Sequence, residues 1–179
     1  MASVNKKVYE AILAINKLLE DYISGVSFYS TMDKFLKLLL ETTNSENGFI
    51  GTLSGPNRQF FTIVCNIDSE EVGYSLGRLQ QCLGAITLDK TVTNYYDCTS
   101  LSLRSFTSVP LEFDGKLIGY IGLTNKPASY SSSDFEILRF AKNNISSILN
   151  HQQNINVQHS ANRRQSTSQT ASIQSRPLQ

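Results

Sequence analysis

The sequence predicts an α+β fold in which a central antiparallel sheet carries helices on one face and irregular structure on the other. Apolar residues recur at helical spacing near both ends of the folded part, which favours terminal helices. Between them lie β-branched and aromatic runs, and two of these runs flank an Asp-Gly pair, a strong hairpin signal. Antiparallel strands between terminal helices are typical of a two-layer α+β domain.

Three helices of substantial length are predicted. The first spans Lys6–Tyr22, and the second spans Ser30–Thr43, where two hydroxyl residues ahead of an aspartate favour a helix start. The third spans Ser131–Asn150, and either Ser131 with Asp134 or Ser133 with Glu136 has the spacing of a capping box. We expect the terminal helices to cover one face of the sheet.

Five strands are predicted between these helices. They form one hairpin, a single short strand and a second hairpin, and their ranges are Asn47–Leu53, Gln59–Ile67, Thr91–Asp97, Ser105–Phe113 and Lys116–Asn125. Pro110 cannot donate to a strand ladder, so we expect a bulge or an unpaired position there. Residues 68–81 show no period and 81–90 are mildly helical, so this segment is expected to cover the other face.

Composition divides the chain at residue 150. All 15 acidic residues lie in 1–150, which we interpret as one domain, whereas 151–179 are rich in Gln, Ser and Asn and are predicted to be a disordered tail. The sequence shows no dense basic face of the kind that predicts nucleic-acid binding. No apolar run approaches the roughly 20 residues that span a bilayer, and "MASVNKKVYE" does not resemble a secretory signal.

The numbers and positions of cysteine and histidine limit the kinds of catalytic and metal sites that the chain could form. The three cysteines have no paired spacing, which favours thiols in a reducing compartment, so we expect a cytoplasmic protein. His151 and His159 lie at or beyond the predicted end of the last helix, so the folded part is expected to lack an imidazole. This argues against a nucleophile with a histidine base and against a Cys/His zinc site.

Three blocks of the sequence resemble, in order, the successive blocks of a GAF domain. They read "SENGFIGTL", "QCLGAITLDKTVTNYYD" and "SFTSVPLEFDGKLIGYIGLTNKPASYSSSDFEIL", and the resemblance runs from about Leu13 to Leu149. It implies a cytosolic sensory module in signal transduction, which holds a small ligand between its sheet and its irregular segment or contacts a protein partner. No effector domain accompanies the blocks, so output is expected through a signalling partner, a dimer or the tail.

The resemblance also implies where a ligand would lie. Inward residues of the strands and the short helix would line a pocket; these are Phe49, Gly51, Phe61, Ile63, Leu83, Ile86, Phe106, Ser108 and Leu123. A cyclic nucleotide is one conceivable ligand, with Arg78, Arg104 and Thr107 as phosphate partners, although no cofactor is required. The alternative is a plain core that the chain fills with its own side chains.

A second set of residues resembles a motif of cyclic-nucleotide-binding GAF domains. Those domains carry an Asn-Lys pair, then Phe, then Asp-Glu; this chain has Asn125, Lys126 and Asp134 but replaces the Phe with Tyr130 and the Glu with Phe135. We interpret the pair Lys126–Asp134 as a structural clasp between the last strand and the last helix.

The cysteines leave an enzymatic alternative open. Free methionine-(R)-sulfoxide reductases are small GAF proteins with catalytic cysteines around the same pocket, and Cys65, Cys82 and Cys98 occupy broadly similar regions. The spacings differ, and "YYDCTSLSL" lacks the reductase context. The favoured interpretation is therefore a non-enzymatic module without a metal, and a degenerate structural dimerisation scaffold is the third possibility.

Two further features concern partners. Arg163 and Arg164 precede Ser166 in "RRQS", which is typical of a basophilic kinase site, so Ser166 is a candidate for phosphorylation. The first helix carries a long apolar stripe, part of which we expect to remain exposed after packing. This predicts a homodimer through the terminal helices.

Overall fold

A computed structural model describes residues 2–55, 60–67, 93–98 and 103–174, with side chains described for 6–55, 61–67 and 105–160. The predicted α+β class is confirmed, because helices flank a single antiparallel sheet. In chain order the described elements are α1 (Ala2–Ile23), α2 (Phe28–Thr43), β1 (Asn47–Ser54), β2 (Phe60–Ile67), β3 (Thr93–Cys98), β4 (Leu103–Phe113), β5 (Lys116–Thr124) and α3 (Ser132–Gln174).

The described strands form one sheet in the order β2-β1-β5-β4-β3, and every neighbouring pair is antiparallel. Both predicted hairpins are present, one between β1 and β2 and one between β4 and β5. Asp114 (φ 48°) and Gly115 (φ 70°) form the tight turn of the second hairpin, which requires positive φ at both positions. The β1–β5 pairing brings the two hairpins together.

The helices α2 and α3 pack on one face of the sheet, here called the helix face, and α1 packs mainly on these two helices rather than on the strands. The middle row of the helix face places Ile50 of β1 beside Ile121 of β5 and Val109 of β4, and all three side chains are fully buried. They join one apolar core with Leu36 of α2 and Ile145 of α3. Each such side chain stabilises the fold by about 1.5–3 kcal/mol relative to exposure, so this layer holds the helices in place. The opposite side of the sheet is called the far face.

The second helix begins earlier than predicted. Ser27, rather than Ser30, is the N-cap, and its Oγ accepts a hydrogen bond from the backbone N–H of Ser30 at 3.4 Å. Both serines are of the N-cap type, and Phe28 and Tyr29 between them carry no helix-breaking chemistry. The helix ends at Thr43 as predicted, followed by Asn44 in the left-handed conformation.

Pro110 is paired, in contrast to the prediction for this residue. It lies opposite Tyr120, and the register shift falls one step later, between Leu111 and Glu112. The pairing of β3 with β4 extends only to Ser108, so within the described strands Pro110 has a neighbouring strand on one side alone. A residue without an N–H donor is tolerated at such a position.

The last helix does not end at Asn150 but continues to Gln174, so the prediction of a disordered tail is wrong for 151–174. Neither glycine nor proline occurs in 151–174 to stop it, and the first added turn has partners. Tyr22 of α1 hydrogen-bonds His151 Nδ1 at 2.7 Å, and Gln153 Nε2 donates to Thr52 Oγ1 of β1 at 2.6 Å. The division into a domain 1–150 and a separate tail stays a prediction.

Candidate functional site

The far face carries six of the nine residues predicted to line a pocket: Phe49, Gly51, Phe61, Ile63, Phe106 and Ser108. One row across the sheet pairs Phe49 with Gly122 and Gly122 with Ser108. The next row pairs Ile63 with Gly51 and Gly51 with Tyr120. Directly opposed residues of antiparallel strands point to the same side, so the strands bring this set together. Tyr120 is the member that sequence reasoning missed.

Aromatic rings lie directly over the two glycines of the far face. A Cβ atom added to Gly122 would lie 2.1 Å from Cε1 of Phe49, and one added to Gly51 would lie 2.1 Å from Cζ of Phe61. The rings of Phe49 and Phe61 meet edge to face, with centroids 5.9 Å apart, and Tyr120 lies 6.5 Å from Phe61. The absence of side chains at both glycines therefore lets the rings of Phe49 and Phe61 approach the backbone of the sheet closely.

Ser108 is the polar residue that stands out within this cluster. Its side chain is fully buried, and its Oγ has no hydrogen-bond partner in the described part of the chain. It lies beside Gly122 in the row that ends at Phe49. A buried hydroxyl without a partner destabilises a fold by about 1–3 kcal/mol, so such a group suggests a role outside the fold itself.

Two described rows of the far face hold no charged residue; they are Asn66–Phe49–Gly122–Ser108 and Ile63–Gly51–Tyr120–Pro110. Burial raises the pKa of Tyr120, and the nearby carboxylate of Glu112 raises it further, which keeps this phenol neutral. Glu112 itself accepts a hydrogen bond from Lys142 Nζ of α3 at 3.0 Å. These two rows therefore combine aromatic and small side chains with neutral polar groups, and most of them are buried.

Leu123 was predicted to line the pocket, and this is wrong. It pairs with Gly48 and Thr107, belongs to the helix face and is fully buried in the main core. Thr107, a predicted phosphate partner, also lies on the helix face. The strand β5 is apolar on both faces, so alternation of polarity does not reveal which of its residues point to the helix face and which to the far face.

Seven other predicted residues lie outside the described part of the chain, either entirely or in their side chains. Leu83, Ile86 and Arg78 lie outside the described residues, as does Cys82. Only the backbone of Arg104 is described, within β4, and only the backbone of Cys98, at the end of β3. Ser166 lies in the described helix α3, but its side chain does not belong to the described set.

Asp134 forms the centre of the clasp at the other end of β5. Its side chain is fully buried and accepts hydrogen bonds from Lys126 Nζ, from Ser131 N at 2.8 Å and from Ser131 Oγ at 2.8 Å. Asp134 N donates in return to Ser131 Oγ at 3.3 Å, so the predicted capping box is present. The ammonium group of Lys126 also lies 5.3 Å from the centroid of the Tyr130 ring.

A second cation reaches the same carboxylate, and sequence reasoning missed it. Lys7 Nζ of α1 donates to Asp134 Oδ1 at 3.3 Å. Burial alone would raise the pKa of Asp134, but the hydrogen bonds from Lys126 and Ser131 outweigh it, and the pKa lies below its ordinary value. Asp134 is therefore an ionised hub that joins α1, the exit of β5 and the start of α3.

Cys65 does not have the environment of a catalytic thiol. It pairs with Ile50, belongs to the core on the helix face and is buried. Burial, with a smaller contribution from the Asp33 carboxylate, raises the pKa of its thiol to about 12. A nucleophilic cysteine needs a lowered pKa and access to substrate, and Cys65 has neither.

The described residues also form an open groove of about 520 Å³ between α1 and α3, lined by Leu19, Tyr22, Ile23, Gly25, Val26, Ser147, Ile148 and His151. The rings of Tyr22 and His151 meet edge to face there, with centroids 5.9 Å apart. The expectation of an imidazole-free fold is therefore wrong at His151. The continuation of α3 beyond Asn150 is what brings this residue against α1.

Two searches of the described residues bear on metals and membranes. No three or more His, Cys, Asp or Glu side chains in these ranges converge on a point where a metal ion could be held. In the same ranges, each helix is too short in its apolar part to cross a bilayer.

Comparison with solved structures identifies the fold. The chain superposes on a GAF domain from Pseudomonas syringae pv. tomato with a TM-score of 0.62 and 14% sequence identity, covering 88% of this chain and 99% of that chain. The GAF domain of an Acinetobacter phosphoenolpyruvate-protein phosphotransferase gives a TM-score of 0.60, 16% identity and coverages of 77% and 91%.

A third similar structure is the phycocyanobilin-bound GAF domain of a cyanobacterial phytochrome, with a TM-score of 0.53, 9% identity and coverages of 76% and 92%. No protein-family model and no curated protein matches the sequence. At these identities the likeness concerns the backbone fold. The sheet order, the helices on one side of the sheet and these superpositions together identify the chain as having a GAF-like fold.

Proposed function

We propose that this chain is a non-enzymatic sensory or regulatory module of signal transduction that binds a small ligand at the far face of its sheet. The observation that carries the proposal is Ser108, whose buried Oγ has no partner in the described part of the chain. Ligand sites combine mostly apolar walls with a few placed polar groups. The aromatic cluster of Phe49, Phe61 and Tyr120 supplies such walls around this hydroxyl.

A cytoplasmic, non-enzymatic role fits the chemistry of the described residues better than a sulfoxide reductase does. The Cys65 thiol is buried on the opposite side of the sheet from Ser108, with a pKa of about 12. Reduction of a sulfoxide requires a thiolate that can reach the substrate. The far face, in contrast, offers hydrophobic contact and hydrogen bonding but no described nucleophile.

The proposed output is a homodimer formed through the terminal helices, which a signalling partner would recognise. On α1, Tyr9 and Leu13 are 63% and 50% exposed, and they lie one helical turn apart. Val157 of α3 is 68% exposed. Exposed apolar side chains at neighbouring positions of a helix favour contact with a second copy or with another protein.

The test uses the native mass of the purified protein and a matched pair of variants. Ser108→Ala removes the unpartnered hydroxyl of the far face, and Ser146→Ala removes another buried hydroxyl without a partner, on α3. We expect native mass spectrometry to detect a co-purified molecule in the unaltered protein and in Ser146→Ala. Ser108→Ala should carry clearly less of it, because one hydrogen bond is lost.

Both variants should otherwise have melting temperatures equal to or slightly above that of the unaltered protein, since each removes a buried group without a partner. A difference in bound molecule between the two variants would then not be caused by unfolding. The proposal fails if the protein carries no bound molecule and no panel of metabolites raises its melting temperature.

A structural dimerisation scaffold is the second candidate, and the packing over the glycines favours it. The rings of Phe49 and Phe61 occupy the space above Gly122 and Gly51, as in a face that the chain fills by itself. A scaffold would dimerise without any bound molecule, and Ser108→Ala would change only its stability. The experiment above therefore separates the two candidates.

A further inference from the structure

We propose that the open groove between α1 and α3 binds a small amphipathic carboxylate, with the apolar body of the ligand in the groove and its carboxylate opposite His151. The groove is formed by α1, by the turn that follows it and by α3, so this site is separate from the far face and from the function proposed above. Its volume of about 520 Å³ lies within the range of roughly 300–1,000 Å³ that is usual for small-ligand sites.

The walls of the groove supply the apolar surface for the body of the ligand. Ile148 of α3 is 1% exposed and belongs to the core, whereas Ile23 at the end of α1 is 75% exposed. Leu19 and Val26 are partly exposed and complete these walls. A Cβ atom added to Gly25 would meet no heavy atom within 4 Å, so the space beside the turn is open. A ligand body that covers Ile23 removes its apolar surface from water, which favours binding.

The pair of Tyr22 and His151 supplies the polar partner of the ligand. Tyr22 Oη and His151 Nδ1 are 2.7 Å apart, and burial raises the pKa of Tyr22, so the phenol stays protonated and can donate to Nδ1. We therefore assign the proton of the neutral imidazole to Nε2, and a protonated imidazole also carries one there. His151 thus offers an N–H donor in both states. A carboxylate gains most from such a donor, because hydrogen bonds to ionised acceptors are the stronger ones.

The acidic residues closest along α1 to this site do not line the groove, and a cation holds them. Lys17 Nζ lies 3.7 Å from a carboxylate oxygen of Glu20 and 3.1 Å from one of Asp21. The carbonyl groups of residues 20–22 accept hydrogen bonds of 2.9–3.0 Å from the backbone N–H groups of residues 24–26. These contacts weaken the repulsion that the carboxylates and the end of a helix exert on an anion.

The experiment compares two probes of nearly equal shape, the anion 2-naphthylacetate and the neutral 2-naphthylacetamide. Each is titrated into the isotope-labelled full chain near neutral pH and followed by two-dimensional amide NMR. We expect saturable shifts in residues 19–26 and 147–151, with the carboxylate bound about fivefold more tightly than the amide. Shifts confined to β1, β4 and β5, or tighter binding of the amide, would overturn the inference.

A pair of histidine variants tests the partner of the carboxylate. His151→Leu removes the N–H donor but keeps an apolar side chain, and we expect it to weaken binding of 2-naphthylacetate about tenfold. His159→Leu is the matched control, because His159 is an exposed histidine on the same helix that does not line the groove. Equal weakening in both variants, or none in His151→Leu, would refute the role of His151.

A bulky substitution tests the groove itself. Ser147 is exposed, and its Oγ donates within α3 to Asn143 O at 3.0 Å, so the fold should tolerate Ser147→Phe. This variant should lose both probes at an unchanged melting temperature, whereas Ser108→Ala should keep both, since Ser108 lies on the far face. If neither probe shifts any signal at millimolar concentration, the groove site fails. A molecule that co-purifies and depends on Ser108 would still support the function proposed above.

Discussion

At the scale of single residues, the carboxylate of Asp134 has more structural partners than the sequence indicates. The pairing with Lys126 is predictable, because the two residues are close in the chain and follow a recognisable motif. Lys7 is 127 positions away from Asp134, and nothing in the local sequence of α1 marks it as a partner. Local patterns thus predict the clasp but not its connection to the first helix.

Replacement of Asp134 by Asn should therefore destabilise the fold substantially. The substitution leaves Lys126, whose side chain is 11% exposed, without an ionised partner, and we expect a loss of about 3 kcal/mol in the free energy of unfolding. Urea denaturation followed by circular dichroism measures it. Glu10→Gln is the control, because Glu10 forms an exposed pair with Lys6, and its loss should change stability by no more than about 0.5 kcal/mol.

The same carboxylate predicts a pH dependence. The pKa of Asp134 is lowered in the folded state, so the ionised form stabilises the fold above the ordinary value of 3.8, and this contribution is lost as the pH falls through the folded pKa. The stability difference between the unaltered protein and Asp134→Asn should be constant near neutrality and shrink below pH 3.8. A difference that stays constant into strong acid would contradict the assignment of Asp134 as the ionised hub.

At the scale of elements, the hairpins were predictable and the orientation of β5 was not. The Asp114-Gly115 pair specifies its turn through backbone geometry alone, so the second hairpin follows from two residues. In contrast, β5 is buried on both faces, and its sequence shows no alternation that would separate Leu123 from Tyr120. Only the pairing with β1 and β4 determines which of them can meet a ligand.

The extension of α3 depends on contacts that composition does not reveal. Gln153 Nε2 donates to Thr52 Oγ1 and, at 3.3 Å, to Leu53 O, which ties the extension to the C-terminal end of β1. We expect Gln153→Ala to accelerate amide hydrogen exchange in residues 150–160 about fivefold, the effect of losing roughly 1 kcal/mol of local stability.

Gln152→Ala is the matched control for this experiment. Among the described contacts, Gln152 Nε2 donates only to Asn156 Oδ1 of the same helix, at 3.4 Å. Its replacement should therefore leave amide hydrogen exchange in residues 150–160 nearly unchanged. Equal acceleration in both variants would show that helix propensity, and not the contact with β1, holds the extension.

At the scale of the whole molecule, the proposed dimer should depend on α1. Leu13→Glu places a charge on the exposed stripe beside Tyr9, and we expect it to weaken self-association at least about tenfold, as measured by light scattering coupled to size exclusion. Tyr29→Glu is the control, since Tyr29 is 67% exposed on α2, outside the terminal helices. A monomeric unaltered protein, or equal effects of both substitutions, would refute this interface.

The GAF-like class itself follows from element order, turn chemistry and the resemblance of successive blocks. The site follows only in part, because a pocket is made by residues from separate strands whose facing is set by pairing. Ser108 illustrates this. Its position on β4 predicts that it points to one face, but its lack of a partner in the described part of the chain depends on how the surrounding strands pack.

The anchoring of α1 bears on where this fold begins along the chain. The recognisable sequence blocks start only near Leu13, yet Lys7 reaches Asp134, and Val8 and Ala11 belong to the apolar core. A shortened protein that starts at Leu13 would lose one cation of the hub together with two packed side chains. For expression of the minimal folding unit, the N-terminal boundary therefore belongs ahead of Lys7.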